Sequence, residues 1–417
     1  MTGFFLSLLI ILTPINQAAF MPNSMLGIPG NNPFNFIWLL ALVLVLSSRG
    51  NGQNQSLNSY FKPALLLFLT AFIIATLLTA FNIDSLHPTI PSQKPTLSGY
   101  YLTYLFKPLQ VIITGWLTYK YCRLHGIKTM ENAVSLIPVI LLPLMMYYFY
   151  QGSSGGTDYR TGRDLLTANV GLHANTLGAV AVAILAYNFG KEKKQFEKLD
   201  YLSMGCSLLV IVFSLSRMSF IATLVIFLIS LKKFTFKQKI ISTSLLLIVV
   251  LAFMPLLLSR INYGITDRSD NKTQGQAVNA NELSAGRVEY IWIPALNMIE
   301  ENPLLGNGIL SIWKGKYVVS KKIMIPSHPH NAYLQVGLDM GIAGIIVFML
   351  LLLSMWKSAK NNFGFKLALI TWMIMGITGS TFYPALDTFF IWIMYGISCS
   401  MSTSQKKQKA PEFLITK

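Results

Sequence analysis

The sequence predicts an all-α integral membrane protein: a bundle of about twelve transmembrane helices carrying one large polar loop. Three observations predict it. Apolar stretches recur from residue 3 to residue 400. Hydrophobic residues make up 53% of the 417 and charged residues only 12%, about half the charged fraction usual in soluble domains. The charged residues gather between the apolar stretches rather than inside them. This composition excludes a soluble enzyme. It also excludes disorder, because 12% aromatics with such an apolar load cannot stay solvated.

A helix needs about 20 apolar residues to cross about 30 Å of hydrocarbon. Twelve stretches qualify as spans: 3–21, 34–48, 63–81, 101–119, 132–150, 165–189, 201–216, 218–231, 240–258, 331–355, 364–380 and 385–400. The first resembles a secretion signal, but no Lys or Arg precedes its apolar run, so it is read as a span. Residues 201–231 form either a short hairpin tipped at Ser216-Arg217-Met218-Ser219 or one long tilted helix. Cytoplasmic loops collect Lys and Arg. With the hairpin and a cytoplasmic N-terminus, the inner loops and tail hold 20 Lys and Arg. The short outer loops then hold four: Lys94, Arg160, Arg163 and Arg217. One long helix would instead put two strongly basic loops on opposite faces, so the charges favour the hairpin.

The chain then divides into a membrane region 1–258 with spans one to nine, a periplasmic loop 259–330, spans ten to twelve in 331–400, and a basic cytoplasmic tail 401–417. The loop changes character at Ser284. Beyond it, Val288, Ile291, Trp292, Ala295, Met298 and Ile299 recur at helical spacing. Ser284 serves as a candidate N-cap. Asn302-Pro303, with Gly306 and Gly308, ends the segment. The expectation is an amphipathic helix lying on the membrane surface or on the bundle.

The net charge of +17 is read as topology and attraction to anionic lipid headgroups, with no nucleic-acid partner. Cys122, Cys206 and Cys399 are scattered without a CxxC pair and offer neither a disulfide framework nor a zinc site. The sequence has no P-loop, HExxH or DxD motif. Within the spans, ionisable residues are few, with Lys107, Asp339 and Asp387 the main ones. A polysaccharide flippase or exporter would spread polar residues through the membrane depth.

Candidate chemistry therefore lies on the outer face. Arg217, at the hairpin tip, is either a topological charge that reaches headgroups or a bidentate clamp for an anion. Arg287 is either a plain surface arginine or a second clamp. Arg160 and Arg163 flank Thr161-Gly162 and read as a solvated pair or as substrate contacts. Ser327-His328-Pro329-His330-Asn331 is the sharpest local signal. Its simple reading is turn and capping chemistry, with Pro329 turning His328 away from its neighbour and His330 or Asn331 starting the next helix. Its functional reading makes His330 a base, kept neutral by the helix N-terminus, beside Asn331. A metal pair would need further ligands. Asp339, about two turns on, reads either as a substrate contact or as the structural partner of a buried Arg, Lys or Tyr. His173 and Asn175 either line the same cavity or make a satisfied polar contact between helices.

Three segments together, SRMSFIATLVIFLISL (216–231), SAGRVEYIWIPALNMIEENPLLGNG (284–308) and SHPHNAYLQVGLDMGIAGIIVFML (327–350), resemble the O-antigen ligase family. Its superfamily also holds O-antigen polymerases and protein O-oligosaccharyltransferases. The resemblance covers about residues 165–380. It implies a glycosyltransferase of the bacterial inner membrane that needs neither metal nor nucleotide cofactor. Its donor would be an undecaprenyl-diphosphate-linked glycan and its acceptor lipid A-core, joined on the periplasmic face in lipopolysaccharide biosynthesis. A polymerase of the same superfamily would use a second lipid-linked glycan as acceptor. The family's functional arginines fall on Arg217 and Arg287, and its histidine falls on His330; His328 carries no assigned role.

Overall fold

The computed structural model describes residues 1–15, 24–25, 28–29, 33–48, 60–88, 93–153, 173–191, 197–233, 287–314, 328–359, 362–379 and 388–408, with scattered positions between. Among these the fold is helical apart from one two-residue ladder, β1 (Ser24–Met25) against β2 (Ile28–Pro29). The helices are α1 (Thr2–Leu12), α2 (Pro33–Ser47), α3 (Pro63–Ala80), α4 (Leu97–Tyr101), α5 (Lys107–His125), α6 (Lys128–Ser153), α7 (Ala174–Phe189), α8 (Lys198–Ser214) and α9 (Arg217–Ser230). The polar loop carries α10 (Ile293–Glu301), and after it come α11 (Ala332–Ser358), α12 (Phe363–Met375) and α13 (Phe389–Gln408). Two wide π turns interrupt this order, Leu102–Phe106 before α5 and Val288–Trp292 before α10.

Pro63–Ala80, Lys128–Tyr148 and Ala332–Ser358 are long and apolar enough to cross a membrane, and six further helices are apolar but shorter. Leu66, Leu67, Ile73 and Ile74 of α3 and Ile346, Met349, Leu350 and Leu353 of α11 leave large apolar side chains exposed. Such stripes are costly in water and natural against lipid tails. Residues 201–231 form two helices. Leu215 takes a left-handed φ of 50° and ends α8; Ser216 then caps α9, its Oγ accepting from the Ser219 amide at 3.4 Å. The expected ninth span, 240–258, falls mostly outside the described residues.

Small residues allow the closest crossings. A Cβ on Gly396 of α13 would stand 2.2 Å from the Gly115 carbonyl of α5, and one on Gly190 would stand 2.1 Å from the Gly364 Cα. Backbones this close gain dispersion contacts that larger side chains would forbid. A polar knot ties α6, α7 and α8 together. Lys191 meets Asp200 at 2.7 Å with both side chains buried. Ser135 Oγ donates to the same carboxylate at 3.2 Å, and Tyr187 donates to Glu131 at 2.8 Å. The buried Asp200 carboxylate supplies the partner that draws Lys191 in.

The tenth span begins one residue later than 331 and is not continuous. Gly341 adopts φ 67° and ψ −165°, which breaks α11 into two halves. The backbone groups freed by the break are taken up by the end of the polar loop. Ile342 donates to the Pro303 carbonyl at 2.7 Å, while the amides of Asn307 and Gly308 donate to Leu338 and Asp339 at 2.8 and 3.0 Å. The loop also reaches α3, where the Ile309 amide donates to Ala75 at 3.2 Å. Irregular backbone inside an apolar bundle requires such pairing.

Candidate functional site

Four helix ends meet at one end of the bundle. The first turns of α7 and α9 touch there: a Cβ on Gly178 would stand 2.6 Å from both Ser214 Oγ and Ser219 Oγ. The start of α11 joins the end of α12 through a 2.8 Å hydrogen bond from the Ala332 amide to the Gly376 carbonyl. Arg287, just before the second π turn, donates from Nη1 to the Thr378 carbonyl at 3.3 Å. The N-termini of α7, α9 and α11 thus face the end where Arg287 is anchored. Their dipoles favour an anion.

Arg217 is the first residue of α9 and is exposed. Arg287 is half-buried. Five residues on, the indole of Trp292 donates from Nε1 to the Pro329 carbonyl at 2.9 Å. This bond fastens the start of the amphipathic helix to the histidine turn. Burial of Ala295 and Met298 against the bundle continues the attachment, while Ile293 and Leu296 stay exposed. The amphipathic helix therefore lies on the bundle; its expected N-cap, Ser284, lies outside the described residues.

His328 and His330 are not turned apart as Pro329 led us to expect. Their rings meet edge to face with centroids 4.4 Å apart. The reason is the backbone at His330, which takes a left-handed φ of 52° and brings the second ring back over the first. A non-glycine residue held there costs about 1–3 kcal/mol, a strain that collects at functional sites. Burial holds both imidazoles neutral. His328 is lowered to about 4, by burial and then by the Arg287 cation. His330 is lowered to about 3, by burial, His328, Arg287 and His173 in turn.

Asn331 caps α11, its Oδ1 accepting from the amides of Tyr333 and Leu334, each at 3.0 Å. His173 caps α7, its Nδ1 accepting from the Asn175 amide at 3.2 Å. That bond leaves Nε2 to carry the proton of a neutral ring. Asp339 lies nine residues beyond His330, about 13 Å along a helix. It is buried and accepts from Ser311 Oγ at 3.3 Å, beside the break at Gly341. Lys314, whose Nζ donates to the Asn307 carbonyl at 2.8 Å, feels the same carboxylate. The structure thus gathers Arg287, His328, His330 and His173, with Arg217 opening a helix at the same end, and sets Asp339 deeper. Arg160 and Arg163 lie outside the described residues. Among the described residues no three His, Cys, Asp or Glu side chains cluster as metal ligands do. Trp292 was visible in sequence only as an apolar-face residue; the wide turn that aims its N–H leaves no periodic trace.

A cation beside neutral imidazoles, at the convergence of helix N-termini, is equipped to hold an anionic group and accept a proton. This makes it a candidate anion-binding site in an apolar helical protein. Residues 202–349 match the family model described as O-Antigen ligase, the family that the three segments resemble. Curated proteins named "Putative polysaccharide ligase" are also similar to the chain. One from Rickettsia conorii is 35% identical over 100 residues, 21% of this chain and 24% of the relative. Another, from Rickettsia typhi, is 26% identical over 259 residues, 57% of this chain and 59% of the relative. The chain thus spans less than two thirds of the length of these relatives.

Proposed function

We propose that the protein is an O-antigen ligase of the bacterial inner membrane. It would transfer a glycan from undecaprenyl diphosphate to lipid A-core on the periplasmic face. The observation that carries this reading is the half-buried His330, its ring against His328, beside the anchored Arg287. The exposed apolar stripes on α3 and α11 support a membrane-embedded bundle, and the apolar stretches and charges of the sequence suggest about twelve spans with both termini in the cytoplasm.

In this reading, the acceptor hydroxyl oxygen attacks the anomeric carbon of the donor sugar. The bond from that carbon to the phosphate oxygen breaks, and undecaprenyl diphosphate leaves with the electron pair. His330 takes the hydroxyl proton, a step worth about 10² to 10⁴ in rate. Charge develops on the leaving diphosphate, where fixed cations and helix amides act most strongly. Arg287 and Arg217 supply the cations. Arg160 and Arg163 extend contact to the donor, and Asn331 and Asp339 to the sugars. The activated diphosphate supplies the driving force, so no nucleotide is required.

The test is transfer by purified protein in lipid nanodiscs, supplied with undecaprenyl-diphosphate-linked glycan and lipid A-core. Glycan-capped lipid A-core is the expected product. Glycan lengthened on undecaprenyl diphosphate, with lipid A-core untouched, would make the protein a polymerase.

A further inference from the structure

A closed ring of hydrogen bonds surrounds the two catalytic candidates. Arg287 Nη1 donates to the Thr378 carbonyl. Two residues earlier in that segment, the Gly376 carbonyl accepts from the Ala332 amide at the head of α11. Three residues before Ala332, the Pro329 carbonyl accepts from Trp292. The wide turn Val288–Trp292, closed by the Ile293 amide on the Val288 carbonyl, completes the ring by joining Trp292 to Arg287. On an α-helix, residues five apart point about 140° away from each other. The i→i+5 turn narrows that angle, so one short segment can direct the guanidinium to Thr378 and the indole to Pro329. Extra residues of this kind inside helices are frequent at functional sites.

We propose that Trp292 is a positioning residue for transfer: through the Pro329 carbonyl it holds the left-handed turn of His330 at a fixed separation from Arg287. The proposal rests on the ligase reading given above. The Pro329 peptide lies between the two histidines, so the indole N–H bonds to the very unit that must stay rotated for the rings to meet. Without that bond the His330 backbone is free to relax from φ 52° to an ordinary region. The ring would then swing away from His328, Arg287 and His173, the groups that now depress its affinity for protons.

Trp292→Phe keeps an aromatic ring and removes the donor. In the nanodisc assay we expect kcat to fall about 10²-fold, as for a catalytic group displaced by about 1 Å, with donor KM unchanged within about twofold. The acid limb of kcat/KM should move up, toward the ordinary imidazole value. A residue that merely stabilised the fold would lower the active fraction without moving that limb. A second variant deletes Glu289, which is exposed; this shortens the wide turn and swings Arg287 by about 100° relative to α10. Glu289→Ala controls for loss of the side chain. The deletion should lose transfer while Glu289→Ala keeps it. A Trp292→Phe protein with wild-type kcat and an unmoved limb overturns the proposal, as does an active deletion variant. If His330→Ala and Arg287→Ala are active as well, the ligase chemistry itself has failed; if they are inactive, only the role of Trp292 has.

Discussion

The rings of His328 and His330 meet edge to face at 4.4 Å between centroids, with a guanidinium close enough to repel a proton from either. Two imidazoles so placed cannot both be charged without cost. Their folded values, about 4 and about 3, lie below the ordinary 6.5 of an exposed ring.

The first prediction concerns pH. Because the folded values are depressed, the neutral pair contributes stability that is fully present above about 6.5. That contribution is lost as pH falls through about 4 and about 3. Thermal midpoints should therefore decline from pH 7 to pH 4, and less steeply in His330→Gln. The base should also remain unprotonated well below 6.5, so kcat/KM, which reports the free enzyme, should keep its plateau through that pH. An acid limb centred at 6.5 would show a solvated ring.

The second prediction concerns the arginines. A fixed donor on a developing oxyanion is worth about 10² to 10³ in rate. Arg287→Ala and Arg217→Ala should each lose at least that much transfer while still accumulating in the membrane. Lysine should restore only part at 287. A single ammonium lacks the planar fork that lets one nitrogen hold Thr378 while the others meet a phosphate. Near-normal turnover by either alanine variant would reduce that arginine to a topological charge.

Much of this arrangement was legible in the sequence, for physical reasons. Apolar length marks spans, so α3, α6 and α11 could be placed within a few residues. Charge asymmetry marked the hairpin, which Leu215 and Ser216 execute as a left-handed stop followed by a cap. His330 and Arg287 stood out because their surroundings are otherwise apolar or turn-forming. What escaped depends on contacts between distant segments. Pro329 alone suggested that the histidines diverge; the backbone of His330 reverses that, and Trp292 joins it from 37 residues away. The apolar run 331–355 carries no mark of the break at Gly341, for which the loop segment 303–308 supplies the partners.

The third prediction tests that break. The torsions at Gly341 belong to a region reserved for glycine. An added Cβ would also stand 2.4 Å from the Leu304 carbonyl oxygen. Gly341→Ala should therefore destabilise by more than the about 1–3 kcal/mol of backbone strain alone. It should also push residues 303–308 off α11, which faster protease cleavage in that segment would report. A variant as stable and as resistant as wild type would mean that the helix is continuous.

The fourth prediction concerns the far end of the bundle. Asp200 holds Lys191 at 2.7 Å, Ser135 Oγ at 3.2 Å and the Glu197 amide at 3.0 Å. Removing one member of a buried ion pair strands the other charge and costs about 3–5 kcal/mol. Lys191→Met should thus lower the thermal midpoint sharply. Adding Asp200→Asn should recover part of the loss, because the amide oxygen still accepts from the Glu197 amide while the amide nitrogen can donate to Ser135 Oγ. A single variant with an unchanged midpoint would show that this pair is solvated.

The last prediction concerns orientation, on which access to the proposed donor and acceptor depends. The hairpin arrangement puts 20 Lys and Arg in the inner loops and tail against four in the short outer loops, and such an excess holds loops in the cytoplasm. α9 and α11 begin at one end, with Arg217 and His330. The basic positions Lys232, Lys233 and Lys357 lie at the opposite ends of the same helices. The site should therefore face the periplasm. Cysteines introduced at Ser269 and Ser404 can be tested with an impermeant thiol reagent on cells whose outer membrane has been made permeable. The three native cysteines are buried and should stay unlabelled. Position 269 should react in intact cells, and position 404 only after the inner membrane is broken. The reverse pattern would turn Arg287 and His330 toward the cytoplasm, away from a periplasmic acceptor, and the ligase reading would fall with it.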